Sequence, residues 1–103
     1  MDMHTAKRVE IIIETPMERR LTKALADAGV NGFTVLPVQG GSGRSGRWSR
    51  EGQIGGASGM VAVVCIIRAE RLDVLLDAAF EVVDRHIGLV TVTDCEVIRA
   101  DRF

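Results

Sequence analysis

The distribution of apolar residues along the chain predicts four strands and two helices. The segment Arg8–Glu14 is short and rich in β-branched residues, which favours a strand, and its nearly unbroken apolar run indicates an interior position in a sheet. Residues Gly32–Val38 predict a second strand. Pro37, which cannot donate to a ladder, indicates either a sheet edge or the point where pairing stops. The segments Gly59–Ile67 and Leu89–Arg99 predict the third and fourth strands.

Two segments have the apolar spacing of amphipathic helices. In the first, Pro16 suits the first helical position, Thr15 and Glu18 form a capping box, and Gly29 is of the residue type that commonly ends a helix. Its apolar stripe consists of Met17, Leu21, Ala24, Leu25 and Ala28. The stripe of the second helix consists of Leu72, Leu75, Leu76, Ala79, Phe80 and Val83. This spacing predicts that both stripes face a hydrophobic core.

The predicted order, β-α-β-loop-β-α-β, matches the ferredoxin-like βαββαβ sandwich. This is an α+β fold with a four-stranded antiparallel sheet and both helices on one face. With 103 residues the chain has room for a single domain, residues 1–103. Because the helices cover only one face of an apolar sheet, the other face also needs a cover, and we expect copies of the chain to associate.

Composition and charge narrow the class of protein. The formal net charge of -1 argues against binding to nucleic acid or to an anionic membrane, both of which need an excess of cations. The longest apolar run, Met60–Ile67, is too short to cross a membrane, and the first residues show no secretory signal pattern. Cys65 and Cys95 are too few for a disulfide framework. We therefore expect a cytoplasmic protein with reduced thiols.

Residues that commonly carry catalysis are sparse in this sequence. It contains no HExxH, Walker A or nucleophile-elbow motif. His4 falls in an N-terminal stretch that we expect to fray, and His86 falls at a helix end, where a cation interacts favourably with the helix dipole. Cys65 falls in the most apolar strand, which indicates a core residue rather than a nucleophile. The sequence therefore predicts a protein that is not an enzyme.

Residues 39–58 differ in composition from the rest of the chain. They hold seven of the eleven glycines, three arginines and the single tryptophan. Loops of this length inside a compact domain are uncommon and usually functional. Within Gly40–Arg50, successive backbone N–H groups can form a concavity for an anion, and the arginines add bidentate donors for a phosphate or for bicarbonate. The same composition also fits a flexible, solvated loop that binds no anion. A tryptophan exposed in a polar loop, as expected for Trp48, instead favours contact with a ligand or partner.

Three segments carry a resemblance to a known family. They are Gly29–Val35 before the loop, Gly40–Arg50 at its base and Glu96–Arg99 in the last strand. With the order of the elements, they resemble the PII-like signalling proteins of the nitrogen regulatory P-II superfamily. That resemblance implies a homotrimer that binds adenine nucleotides in clefts between subunits. It also implies a long, flexible T-loop, at about residues 39–58, that docks onto a target protein.

The resemblance also implies contacts for individual residues of this chain. Those implied to lie near the adenine ring are Gly32, Phe33 and Thr34. Those implied to meet phosphate are Gly40, Gly41, Ser42 and Arg44 at the base of the T-loop and Arg99 in the last strand. Ile87 and Gly88 are implied to belong to the B-loop, on the other side of the cleft. Those left for bicarbonate or a partner protein are Arg47, Trp48 and Arg50.

The sequence departs from the nitrogen-regulating members of the family at several positions. Leu89 follows Gly88 where those members offer a lysine to the distal phosphates, and Asp101 replaces a C-terminal arginine. Ser45 replaces a glutamine that helps hold Mg-ATP and 2-oxoglutarate. Fewer cations for the distal charge predict a preference for ADP or AMP over ATP. In these departures the sequence is similar to the PII-like proteins of inorganic-carbon handling. That similarity implies bicarbonate as a second candidate ligand, and it implies a target such as a bicarbonate transporter or a carboxysome-linked protein.

Two other functions are possible on the same fold. A divalent-metal-binding trimer, similar to the copper-tolerance proteins, would have Cys65, His86 and Cys95 as its soft ligands, and their spacing matches no recognised metal motif. A small enzyme similar to an acylphosphatase would need an arginine and an asparagine around a phosphate loop near the first strand. The segment Glu14–Met17 offers neither residue.

Overall fold

The structure, a computed structural model, describes residues 1–30, 32–43, 46–49 and 59–98 of the chain. Its strands are β1 (His4–Glu14), β2 (Thr34–Val38), β3 (Gly40–Gly43), β4 (Gly46–Ser49), β5 (Met60–Ile67) and β6 (Gly88–Val97). Its helices are α1 (Glu18–Asp27) and α2 (Leu72–Val83). Each helix is preceded by a short 3-10 helix, Thr15–Met17 and Ala69–Arg71 respectively.

Four of the strands form one antiparallel sheet in the order β2-β5-β1-β6. Strand β1 lies in the interior, as its apolar run predicts, and β2 lies at an edge, as Pro37 predicts. Both helices contribute to one core against the sheet, which confirms the predicted ferredoxin-like βαββαβ fold. The expectation that His4 frays is wrong, because it begins β1 and pairs with Val97 of β6.

The hydrophobic core lies between the sheet and the two helices. Val9, Ile11 and Ile13 of β1 are fully buried, and they alternate with half-buried residues that point to the other face. This alternation is the expected period of a strand with one face on the core. The other buried residues of the same cluster are Leu21, Leu25, Val30, Val61, Val63, Cys65, Ile67, Leu75, Ala79 and Val82.

Two details of the helices differ from the sequence prediction. Phe80, predicted for the core, is 61% exposed, because the buried residues of α2 run from Leu75 to Val82 along a neighbouring stripe. The predicted capping box does not form. The 3-10 helix Thr15–Met17 comes first, so Met17 becomes the N-cap residue of α1 and makes no side-chain capping bond. None of the described helices is long and apolar enough to span a membrane.

Helix α1 ends where the sequence predicts, at a glycine in the left-handed conformation. Gly29 has a φ of +89°, which only glycine adopts at little cost. The guanidinium of Arg71 donates a hydrogen bond of 2.9 Å to the carbonyl oxygen of Ala28, one residue earlier. A Cβ atom at position 29 would lie 2.5 Å from Nη2 of Arg71. The turn between α1 and β2 therefore depends on a glycine.

Replacing Gly29 by alanine is expected to lower the free energy of unfolding by about 1–2 kcal/mol, the cost of the left-handed conformation for a residue with a Cβ. Equilibrium urea denaturation at one fixed protein concentration measures the change. Gly43→Ala is the matched control, because its added Cβ meets nothing within 4 Å and its φ is not in the left-handed range. Equal losses in both variants would contradict this explanation.

The face of the sheet opposite the helices carries a row of apolar side chains across all four strands. Leu36 lies opposite Ala62, Ala62 opposite Ile12, and Ile12 opposite Leu89. Residues directly opposite one another in an antiparallel pair share a face of the sheet. Leu36 is 44% exposed and Leu89 is 62% exposed in the single chain. Ala62 between them is only 5% exposed. The exposed apolar ends of the row are typical of a surface that a second protein chain covers.

Candidate functional site

Residues 40–43 and 46–49, predicted as part of a flexible loop, form two paired strands, called the hairpin below. Strands β3 and β4 pair antiparallel, with Ser42 directly opposite Arg47, so these two side chains share a face. Gly46 has a φ of +103°, which its lack of a Cβ permits. The glycine-rich composition favours a loop because glycine is depleted in strands. Pairing between the two short segments nevertheless gives the base of the predicted T-loop a hydrogen-bonded backbone.

The segment between α2 and β6, which contains the predicted B-loop, is anchored to the end of β1. The backbone N–H of Ile87 donates a hydrogen bond of 2.9 Å to Oε1 of Glu14, and Nδ1 of His86 lies 3.7 Å from the same oxygen. A Cβ at Gly88 would lie 3.3 Å from a backbone oxygen and from a neighbouring side chain, so a glycine fits best there. Glu14 was not predicted for the site, because its contact joins positions 73 residues apart.

The third group of predicted residues lies at the beginning of β2. Gly32 and Thr34 are exposed, and Phe33 between them is 41% exposed. A Cβ at Gly32 would meet nothing within 4 Å, so packing within the single chain does not require a glycine here. Open space beside an exposed aromatic side chain is compatible with the approach of a flat heterocycle to the backbone.

The register of the sheet places the hairpin and the B-loop at one end of the sheet, and Gly32, Phe33 and Thr34 at the opposite end of β2. Val38, Met60 and Glu14 lie side by side across β2, β5 and β1, so the hairpin and the B-loop occupy the same end of the sheet. Gly32 lies at the opposite end of β2, on the other edge of the sheet from the B-loop. With a strand spacing of about 4.8 Å and a rise of about 3.3 Å per residue, Thr34 and Gly88 are separated by roughly 15–20 Å.

Several predicted site residues lie outside the described part of the chain. Arg44, Arg50 and Arg99 are among them, so their predicted contacts with phosphate, bicarbonate or a partner remain predictions. The backbone of Trp48 belongs to β4, but its side chain also lies outside the description. Arg47 is exposed on the hairpin.

The two cysteines do not group with other potential metal ligands. Cys65 is 1% exposed in the core, whereas Cys95 is half-buried in β6. Within residues 1–30, 32–43, 46–49 and 59–98, no three His, Cys, Asp or Glu side chains come together as a metal site. Burial raises the pKa of the Cys65 thiol to about 11. The described geometry therefore gives no support to the copper-tolerance alternative.

Cys65 is expected to resist thiol reagents in the folded protein. A thiol with a pKa of about 11 is only about one-thousandth thiolate at pH 8, and the thiolate is the reactive form. A Cys95→Ser variant isolates Cys65 and should react with a chromogenic disulfide only after denaturation. Rapid modification of that variant in its folded state would contradict the burial of Cys65.

A ferredoxin-like sandwich with a glycine-rich hairpin and an anchored turn at one sheet end has the architecture of a PII-like protein. The family model for nitrogen regulatory protein P-II matches residues 6–102. The chain therefore belongs to the nitrogen regulatory protein P-II family, as the three segments of resemblance imply. A comparison with curated proteins finds no match.

Solved structures of a nitrogen regulatory PII-like protein, CPII from Thiomonas intermedia K12, are similar to this chain. One, bound to ADP, AMP and bicarbonate, matches with a TM-score of 0.85 and 26% identity over 95% of this chain and 92% of that chain. A second, bound to ADP and bicarbonate, matches with a TM-score of 0.80 and 28% identity over 95% and 93%. A third, bound to ADP, AMP and acetate, matches with a TM-score of 0.76 and 25% identity over 100% and 98%.

Proposed function

We propose that this protein is a non-enzymatic, homotrimeric PII-like sensor. It binds ADP or AMP in clefts between subunits, takes bicarbonate as a second ligand and controls a partner through its T-loop. The observation that carries this proposal is the separation of the site residues on opposite edges of one sheet, in a chain similar to CPII. The proposed location is the cytoplasm, where adenine nucleotides are available.

The separation of the site residues supports a shared cleft. Gly32 and its neighbours lie at the β2 edge, and the B-loop lies at the β6 edge. One small ligand would have to cross the sheet to contact both groups of a single chain. If the β2 edge of one copy approaches the β6 edge of the next, the two groups meet. Head-to-tail contacts of this kind close into a ring when the rotation between copies allows it. The apolar row from Leu36 to Leu89 provides a surface that such a ring would bury.

The ligands bound in the CPII structures support adenine nucleotides and small anions as the proposed ligands of this chain. ADP and AMP share the adenine ring and differ in the number of phosphates, whereas bicarbonate and acetate are small planar anions. In this chain, the glycine backbone of β3 and the arginine Arg47 on β4 supply donors suited to such anions. The B-loop has Leu89 where a lysine would serve distal phosphates, so we expect ADP and AMP to bind more tightly than ATP.

The hairpin supports a role for the T-loop in signalling. A two-stranded hairpin without further strands is only marginally stable in water. A ligand that binds at its base more tightly in the paired state will shift the population toward that state. The paired and unpaired states would present Arg47 and Trp48 differently to a partner, for which a membrane bicarbonate transporter or a carboxysome-linked protein is our proposal.

Isothermal titration calorimetry with AMP, ADP, ATP and cyclic AMP tests this proposal. Each nucleotide is titrated with and without bicarbonate, and chloride at equal pH and ionic strength serves as the control. We expect micromolar binding of ADP or AMP, weaker binding of ATP and a change on adding bicarbonate that chloride does not reproduce. Failure of every adenine nucleotide to bind would overturn the proposal.

A further inference from the structure

The carboxylate of Glu14 lies against the turn that contains Ile87 and Gly88 of the predicted B-loop. Its Oε1 accepts the 2.9 Å hydrogen bond from the backbone N–H of Ile87, and the imidazole of His86 flanks the same oxygen. The Glu14 side chain is 29% exposed, so it is neither buried in the core nor free in solvent. A carboxylate is therefore held beside the predicted B-loop, where the nitrogen-regulating members of the family offer a lysine to the distal phosphates.

The backbone around Glu14 restricts where this charge can go. Glu14 is the last residue of β1, opposite Met60 of β5. The next backbone N–H, that of Thr15, donates a hydrogen bond of 2.8 Å to the carbonyl oxygen of Gly59. The end of β1 is thereby tied to the start of β5, and the short 3-10 helix follows at once. The backbone that carries the Glu14 carboxylate is therefore held in place beside the B-loop.

We propose that Glu14 is a specificity-determining residue that disfavours ligands in proportion to their phosphate charge, and so selects AMP and ADP over ATP. This inference rests on the proposed nucleotide site. Like charges repel more strongly as the ligand charge rises, and ATP carries two more phosphates than AMP. The carboxylate also occupies the N–H of Ile87, a donor that would otherwise be available to a phosphate oxygen.

Residues 87–89 carry no positive charge that would offset the negative charge of the Glu14 carboxylate. Residues 87–89 are Ile-Gly-Leu, and both Ile87 and Leu89 are exposed apolar side chains. Gly88, the first residue of β6, pairs with Ile13 of β1, which directly precedes Glu14, and Leu89 pairs with Ile12. A lysine in this stretch would attract the distal phosphates, whereas Glu14 repels them. The selection of AMP and ADP over ATP therefore comes both from the carboxylate of Glu14 and from the lack of a lysine in residues 87–89.

Calorimetry of three variants tests the role of Glu14, with AMP and ATP titrated in magnesium-free buffer at low ionic strength. Glu14→Gln removes the charge and keeps an oxygen that can accept the N–H of Ile87. We expect its ratio of ATP to AMP affinity to rise by roughly three- to tenfold. Glu14→Asp keeps the charge and should stay within about twofold of the wild-type ratio. Glu81→Gln, an equal change at an exposed position of α2, should leave the ratio unchanged.

The outcomes separate this inference from the proposed function. If the wild type binds AMP or ADP but Glu14→Gln keeps the wild-type ratio, the inference is overturned and the proposed function stands. The inference is also overturned if Glu14→Asp shifts the ratio as far as Glu14→Gln, because shape rather than charge would then be responsible. If the wild type binds no adenine nucleotide, the proposed function and the inference fail together.

Discussion

Replacing Ile12 by glutamate is expected to separate the proposed trimer into folded monomers and to abolish the proposed nucleotide binding. Ile12 lies in the middle of the apolar row, between Ala62 and Leu89 on the face away from the helices. Burying an unpaired carboxylate at an interface costs about 3–5 kcal/mol, and each subunit of the ring would carry one. Because the proposed site needs two copies, loss of assembly removes the site itself.

Light scattering after gel filtration measures the molar mass of the Ile12→Glu variant and so its oligomeric state. Calorimetry measures its affinity for ADP. Val74→Glu is the matched control, since it places the same charge at an exposed aliphatic position of α2. The control should remain trimeric and bind ADP as the wild type does. A monomeric Ile12→Glu protein that retains wild-type affinity for ADP would show that a single chain holds the whole site.

Replacing Arg44 by alanine is expected to weaken ADP binding by about 1.5–3 kcal/mol, the contribution of a charge-assisted hydrogen bond. This corresponds to roughly a ten- to hundredfold rise in the dissociation constant. Arg44 directly follows β3, next to the glycine backbone that we expect to hold phosphate. Calorimetry with ADP measures the change.

Two further variants separate the geometry of Arg44 from its charge. Arg44→Lys keeps the charge but loses the planar fork, so its affinity should lie between that of the wild type and that of Arg44→Ala. Arg20→Ala removes an exposed arginine of α1 and should bind ADP normally. Unchanged affinity in Arg44→Ala would remove this residue from the site.

The fold could be predicted from sequence because its signals are local. The β-branched run of β1, Pro37 at the sheet edge and Gly29 at the end of α1 each report a property of the backbone at that position. The exposure of Phe80 could not be predicted with the same certainty. Its spacing fits an apolar stripe, and the rotation of α2 against the sheet depends on how the whole core packs.

The candidate site was only partly predictable for a related reason. Glycine and arginine composition indicated an anion-binding segment, and the resemblance assigned individual residues to it. The pairing of β3 with β4 was missed because glycine has a low strand propensity and the pairing itself decides the conformation. The contact of Glu14 with Ile87 was missed because it joins two elements that are distant in sequence and meet only in the folded sheet.

The central claim is that each nucleotide binds between two copies of the chain, and subunit complementation tests it most directly. Thr34→Glu damages the group at the β2 edge, and Ile87→Glu damages the B-loop; both positions are exposed, so the fold should persist. Each variant alone should fail to bind ADP. Co-expressed variants should form mixed trimers that regain binding, because some clefts combine two intact halves. Mixed trimers that remain unable to bind ADP would contradict the shared site.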